Sequence, residues 1–134
     1  MSLHGFNHFT IRAQDVEQTR TFYVDVLGLR VGARPNLANR GYWLYCGVTP
    51  IIHLFDASLE EGYVGNVEHT VRGSGSVDHI ALSGDDCEGM RKRLEQRGVP
   101  YRELKLPELG IEQLFVEDPN GLTVELQFPA ADRA

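Results

Sequence analysis

The chain has 134 residues, 42% of them hydrophobic, and a formal net charge of −6. That suffices for one domain with a real core and is too acidic for a nucleic-acid partner, whose phosphates demand a basic surface. No apolar run approaches membrane-spanning length, Met1-Ser-Leu-His-Gly-Phe lacks the marks of a secretory signal, and a cytoplasmic location is the expectation.

The first predicted element is a strand over 6–12. Asp15 follows as an N-cap, with Gln18 three residues on at the capping-box spacing. A helix over 16–27 places Val16, Thr19, Phe22, Tyr23, Val26 and Leu27 on one face and stops at Gly28. Strands over 29–34, 41–46 and 51–56 come next, the last two joined by Gly47-Val48-Thr49-Pro50. The segment 58–76, rich in Glu, Gly and Ser, reads as a linker.

A second strand-and-helix start then appears, with a strand over 77–83 and the Asp85-Asp86 pair as cap. Glu88 lies three after Asp85. The helix over 87–97 uses Cys87, Met90 and Leu94, is weakened by Gly89 and ends at Gly98. Its Arg91-Lys92-Arg93 run reads as a solvated face. Strands over 99–104, 111–117 and 122–128 complete the chain, the last two joined by Asp118-Pro119-Asn120-Gly121, a strong turn signal. The plan is β-α-β-β-β twice within one domain, 1–134. The modules span 5–57 and 77–129 and the linker 58–76.

Aligning His8 with His79 superimposes the halves. Read at period two, His8 shares a side with Phe6, Thr10 and Arg12, and His53 with Ile51 and Phe55. His79 shares one with Val77 and Ala81, and Glu125 with Thr123 and Gln127. Each polar group points away from the flank that packs under a helix. His8 and His53 are 45 residues apart, His79 and Glu125 46. Each module therefore offers one donor from its first strand and one from its last. Two facing sheets would converge three imidazoles and a carboxylate on one hollow. That set suits Fe, Mn, Co, Ni or Zn, and two histidines with one carboxylate suit non-haem iron. Singly, each histidine would be read as packing or surface, as His4 and His69 are. Cys46 and Cys87 are too few for a disulfide framework, and the apolar face of its helix makes Cys87 a packing residue.

The strings H8-F-T-I, F22-Y-V-D-V-L-G-L29, D78-H-I-A-L82 and D118-P-N-G-L-T-V-E-L126 resemble the vicinal-oxygen-chelate superfamily of glyoxalases, bleomycin-resistance proteins and extradiol dioxygenases. The resemblance implies an α+β fold of paired βαβββ modules, with mixed curved sheets carrying helices on the outer face. It also implies a homodimer and a divalent metal that a small substrate chelates through adjacent oxygens. Carried over, the metal ligands are His8, His79 and Glu125, with His53 as fourth ligand or acid–base residue beside Glu125. Fe(II) or Mn(II) is expected ahead of Ni(II), Zn(II) or Co(II). Extradiol-type oxygenation is placed slightly ahead of a glyoxalase I-like lyase or isomerase, and both ahead of a non-enzymatic drug-binding protein. Tyr42, Trp43, Tyr45, Gln113 and Phe115 are the expected pocket lining, and Arg12 and Arg40 the available cations.

Overall fold

The computed structural model describes residues 2–37, 39–57 and 72–130. His69 and most of the expected linker lie outside the described residues. The chain forms two compact units, Met1–Val71 and Arg72–Ala134. Each follows the β-α-β-β-β plan and holds one mixed four-stranded sheet.

In the first unit, β1 (Phe9–Ala13) pairs in parallel with β4 (Thr49–Asp56), which pairs antiparallel with β3 (Gly41–Cys46). The short β2 (Arg30–Gly32) closes the edge. A parallel first strand needs a crossover, and α1 (Val16–Thr21) supplies it by packing on β1 and β4. Ile11, Ala13, Leu44, Ile52 and Leu54 are buried, as alternation predicts for the face under a helix.

The expected helix 16–27 changes winding at its middle. Phe22–Val26 is a π-turn, in which the Leu27 amide reaches the Phe22 carbonyl at 3.1 Å. Phe22, Tyr23, Val26 and Leu27 are all buried along it. Asp15 caps the helix as expected, its carboxylate accepting from the Gln18 amide at 2.9 Å.

The second unit repeats the topology, with β5 (Ile80–Ser83) parallel to β8 (Thr123–Pro129), then β7 (Ile111–Glu117) and β6 (Arg102–Leu106). Helix α2 (Cys87–Gln96) lies against β7 and β8, burying Cys87 and Leu94. Burial pushes the Cys87 thiol pKa up, which fits packing and leaves a thiol little inclined to ionise.

Five boundaries differ from expectation. Both first strands begin one residue after their histidine, so His8 and His79 sit at strand mouths rather than within strands. The 29–34 strand shrinks to three residues. The strand expected at 99–104 starts at Arg102, because the Val99 amide is still tied to Leu94 in the helix's closing turn. The cap of α2 is Asp86, not Asp85, so Gly89 and not Glu88 stands at the third helical position.

That register sets Gly89 against the side chain of its cap. A Cβ there would collide with the Asp86 carboxylate as it folds back to accept from the Gly89 amide. In an ordinary helix interior Gly→Ala stabilises by about 1 kcal/mol. Here Gly89→Ala is expected to destabilise by about 1 kcal/mol, the usual cost of a lost N-cap. Urea denaturation would read the sign directly.

Candidate functional site

The four candidate donors stand as two pairs, one in each unit. In the second unit the His79 Nε2 lies 3.2 Å from Glu125 Oε1. Register explains this: β5 and β8 run parallel with Ala81 beside Glu125, and His79 precedes Ala81 by two. The other polar atom of each group is also held. His79 Nδ1 donates to Asp78 Oδ2 at 2.8 Å, and Gln113 Nε2 donates to Glu125 Oε2 at 3.1 Å. Glu125 and Gln113 are buried, and the Phe115 ring stands edge-on to His79 at 6.2 Å. The hydrogen bond to Asp78, with the Glu125 charge behind it, raises the His79 pKa above the ordinary imidazole value.

In the first unit three rings form a stack. His53 lies between Trp43, at 3.8 Å and 5°, and His8, at 3.6 Å and 16°. His8 Nδ1 donates to Asn7 Oδ1 at 2.6 Å, matching the Asp78–His79 contact in the other unit. His53 Nε2 is buried with no hydrogen-bond partner in the structure. Burial, then the neighbouring His8, lower the His53 pKa, so the ring is neutral near pH 7.

Among the described residues no three of His, Cys, Asp and Glu converge on a point that could hold a metal. His79 and Glu125 form a half-site within the second unit, and His8 and His53 one within the first. Their donor chemistry still fits a divalent ion. Two ligands at about 2.1 Å and right angles stand about 3.0 Å apart, close to the His79–Glu125 separation. The His8–His53 pair differs. In-plane lone pairs of near-parallel rings run side by side, so a cation bound by one is poorly placed for the other while the stack holds.

The remaining expectations divide. Trp43, Gln113 and Phe115 stand against the candidate donors. Tyr45 instead covers Gly32 and donates to the Ala33 carbonyl at 2.6 Å. Tyr42 and Arg40 both bond Glu17 on the helix side of the sheet, which removes them from the lining. Asn7 and Asp78 were missed from the sequence, although each directly precedes its histidine and has the short side chain that reaches a neighbouring ring.

Paired βαβββ units with histidine at the mouth of each first strand define the class as the glyoxalase fold. A family model confirms it: residues 5–126 match the glyoxalase/bleomycin resistance protein/dioxygenase superfamily, to which this chain belongs. The chain is 30% identical over 129 residues to a protein named glyoxylase I 4 of Arabidopsis thaliana, covering 94% of this chain and 71% of the relative. It is 31% identical over 126 residues to the glutathione transferase FosA of Serratia marcescens, covering 92% and 80%. Lactoylglutathione lyase of Salmonella typhimurium is 30% identical over 122 residues, covering 89% and 88%. The solved lactoylglutathione lyase of Agrobacterium tumefaciens shares the fold at 22% identity, TM-score 0.68 and 96% of each chain. No helix among the described residues is long and apolar enough to cross a membrane. These relatives carry lyase and transferase names, so the preference for dioxygenase chemistry drawn from the sequence is unsupported and the lyase alternative fits better.

Proposed function

We propose that the chain is a divalent-metal-dependent lyase or isomerase that moves a proton on a small substrate bearing adjacent oxygens. The observation that carries this reading is the His79–Glu125 pair at 3.2 Å, with the second polar atom of each held by Asp78 and Gln113. Such outer partners fix the tautomer and aim of metal ligands. In this reading His8, His79 and Glu125 hold the metal. When bound, it supplies Lewis-acid stabilisation of charge on the substrate oxygens. Asn7 does for His8 what Asp78 does for His79, leaving each Nε2 outward. His53 is the proton carrier. Its Nε2 has an unmet acceptor, burial keeps the ring neutral, and the Trp43 stack fixes its plane. It takes the proton from one substrate carbon and delivers it to the next.

The test is the metal-loaded protein in D₂O with the hemithioacetal of a 2-oxoaldehyde and a thiol, followed by NMR. Isomerisation or α-proton exchange supports the reading. Oxygen uptake with a catechol, and no exchange, would return the oxygenase. Thiol addition to an epoxide would instead favour a transferase like the FosA relative; Arg12 lies on the His53 face of β1, by register opposite Phe55.

Metal uptake itself has a predicted pH dependence. Protonated imidazole cannot ligate, and the His79 pKa is raised. Affinity is therefore expected to fall about tenfold per pH unit as pH drops below that raised value. In metal-free protein the sign reverses: the raised pKa contributes stability below pH ~6.5, lost as pH rises through the folded value. Calorimetric titration of cobalt across pH 5.5–8 would check the first, and thermal melts the second.

A further inference from the structure

The register that brings Trp43 onto His53 is not forced by the strands that carry it. Tyr45 faces Pro50 and Leu44 faces Ile52, which leaves Ile51 of β4 over as a bulge. Without that bulge Tyr42 would stand opposite His53. A slip of one residue turns every side chain of a strand to the other face. Tyr42 and Leu44 would then join His53, and Trp43 would lie under α1. Hydrophobic burial separates the two arrangements poorly, because residues 42–45 read Tyr-Trp-Leu-Tyr and either alternate set is apolar enough to be covered. The choice between them has to come from outside the ladder.

It is visible on the helix side. Glu17, in the first turn of α1, accepts from the Tyr42 hydroxyl, from Arg20 Nε at 3.0 Å and from Arg40 Nη2 at 2.8 Å. The Arg20 guanidinium also stands 5.4 Å from the centre of the Tyr42 ring. A phenol turned under a helix needs a partner for its hydroxyl, and this carboxylate is that partner. The bond from Tyr42, ahead of the one from Arg20, lowers the Glu17 pKa, and the same bond raises that of Tyr42. Arg40 directly precedes β3, and its carbonyl accepts from the Asp56 amide at 2.9 Å. The shifted count therefore runs on to the point where Glu17 holds the chain. In the slipped register Tyr42 leaves this carboxylate for the opposite face, and the bond is lost.

We propose that Glu17 is a positioning residue for the His53 site. By holding the Tyr42 hydroxyl from α1 it selects the bulged register of β3, and with it the Trp43 ring against His53. None of its bonds reaches a candidate donor, so it acts through the strand. The inference rests on the reading above only in giving His53 the proton; the register itself involves neither metal nor substrate.

Amide hydrogen exchange of the metal-free full chain tests this, since it reads a rare register as well as a populated one. Glu17→Leu and Tyr42→Phe, which keeps the ring, are each expected to speed exchange of the β3–β4 ladder about tenfold or more beyond any change in the β1–β4 ladder, the factor for a hydrogen bond to a charged group. Glu17→Gln keeps an oxygen that accepts from Tyr42 and forfeits only exposed ion pairs, which contribute little, so it should stay within about threefold of the parent. In Glu17→Leu, Trp43 emission and the kcat of metal-loaded protein should change together, by the fraction of molecules slipped, at unchanged KM. Equal speeding of both ladders would show that Glu17 only stabilises the unit, and would overturn the proposal. So would unchanged exchange in both variants, or a lost kcat with the ladders unaltered. Absence of turnover in the parent would remove the proton-carrier reading and leave the register result standing.

Discussion

Glu125→Gln is expected to lower kcat/KM by about 10³-fold or more while leaving the fold intact. The size follows from what the carboxylate is asked to do. A metal contributes several kcal/mol to stabilising charge in the transition state, and tenfold in rate is about 1.4 kcal/mol. The amide keeps an oxygen that can accept from Gln113, which donates to Glu125 at 3.1 Å, so the buried hydrogen bond survives. It loses the negative charge that makes a ligand of the residue and attracts the His79 ring across 3.2 Å. The variant should thus bind cobalt at least tenfold more weakly and unfold within about 1 kcal/mol of the parent. Full activity in Glu125→Gln would remove this residue from the site. A large loss of stability would show instead that its work is to pair His79 and Gln113. His53→Gln separates the roles further: a proton carrier costs activity and leaves cobalt affinity unchanged, whereas a ligand costs both.

The pairing of candidate donors within each unit was legible in the sequence because a strand has a strict period. Glu125 and His53 are fixed to one face by alternation alone, and the duplicated spacing pairs each with a histidine of its own module. The stack of His8, His53 and Trp43 was not legible, and the reason is a single irregularity. Counting back from the tight turn at Gly47-Val48, Cys46 faces Thr49 and Tyr45 faces Pro50. Continued without a break, that register would set Tyr42 opposite His53. A bulge between Leu44 and Tyr45 shifts the count by one, so Trp43 faces His53 and Tyr42 turns to Glu17 under the helix. Bulges leave no sure mark in a sequence. The choice among the three aromatic residues 42, 43 and 45 therefore had to wait for coordinates. The α2 cap failed for a similar reason, because Asp85 and Asp86 are equally good cap chemistry.

Gly41→Ala is expected to be the most destabilising small substitution in the first unit, by about 3 kcal/mol or more. Gly41 opens β3 opposite Phe55, and its position allows no side chain. A Cβ there would fall on the Leu54 carbonyl oxygen and within 2.9 Å of the Phe55 Cα, both backbone atoms of a central strand. A flexible side chain could move aside; these atoms can yield only by parting β3 from β4. The change joins backbone overpacking to the loss of ladder hydrogen bonds, and overpacking alone costs about 1–3 kcal/mol. The consequence reaches the site, because Trp43 lies two residues along the same strand and meets His53 through this pairing. Trp43 is the single tryptophan of the chain, so its emission reports the stack directly. In Gly41→Ala the emission should change in the folded baseline as well as in the transition midpoint. Gly89→Ala in the other unit should shift the midpoint alone. A Gly41→Ala variant of parental stability and unchanged emission would mean that β3 can slide against β4 without cost, and that the Trp43–His53 contact is not fixed by the ladder.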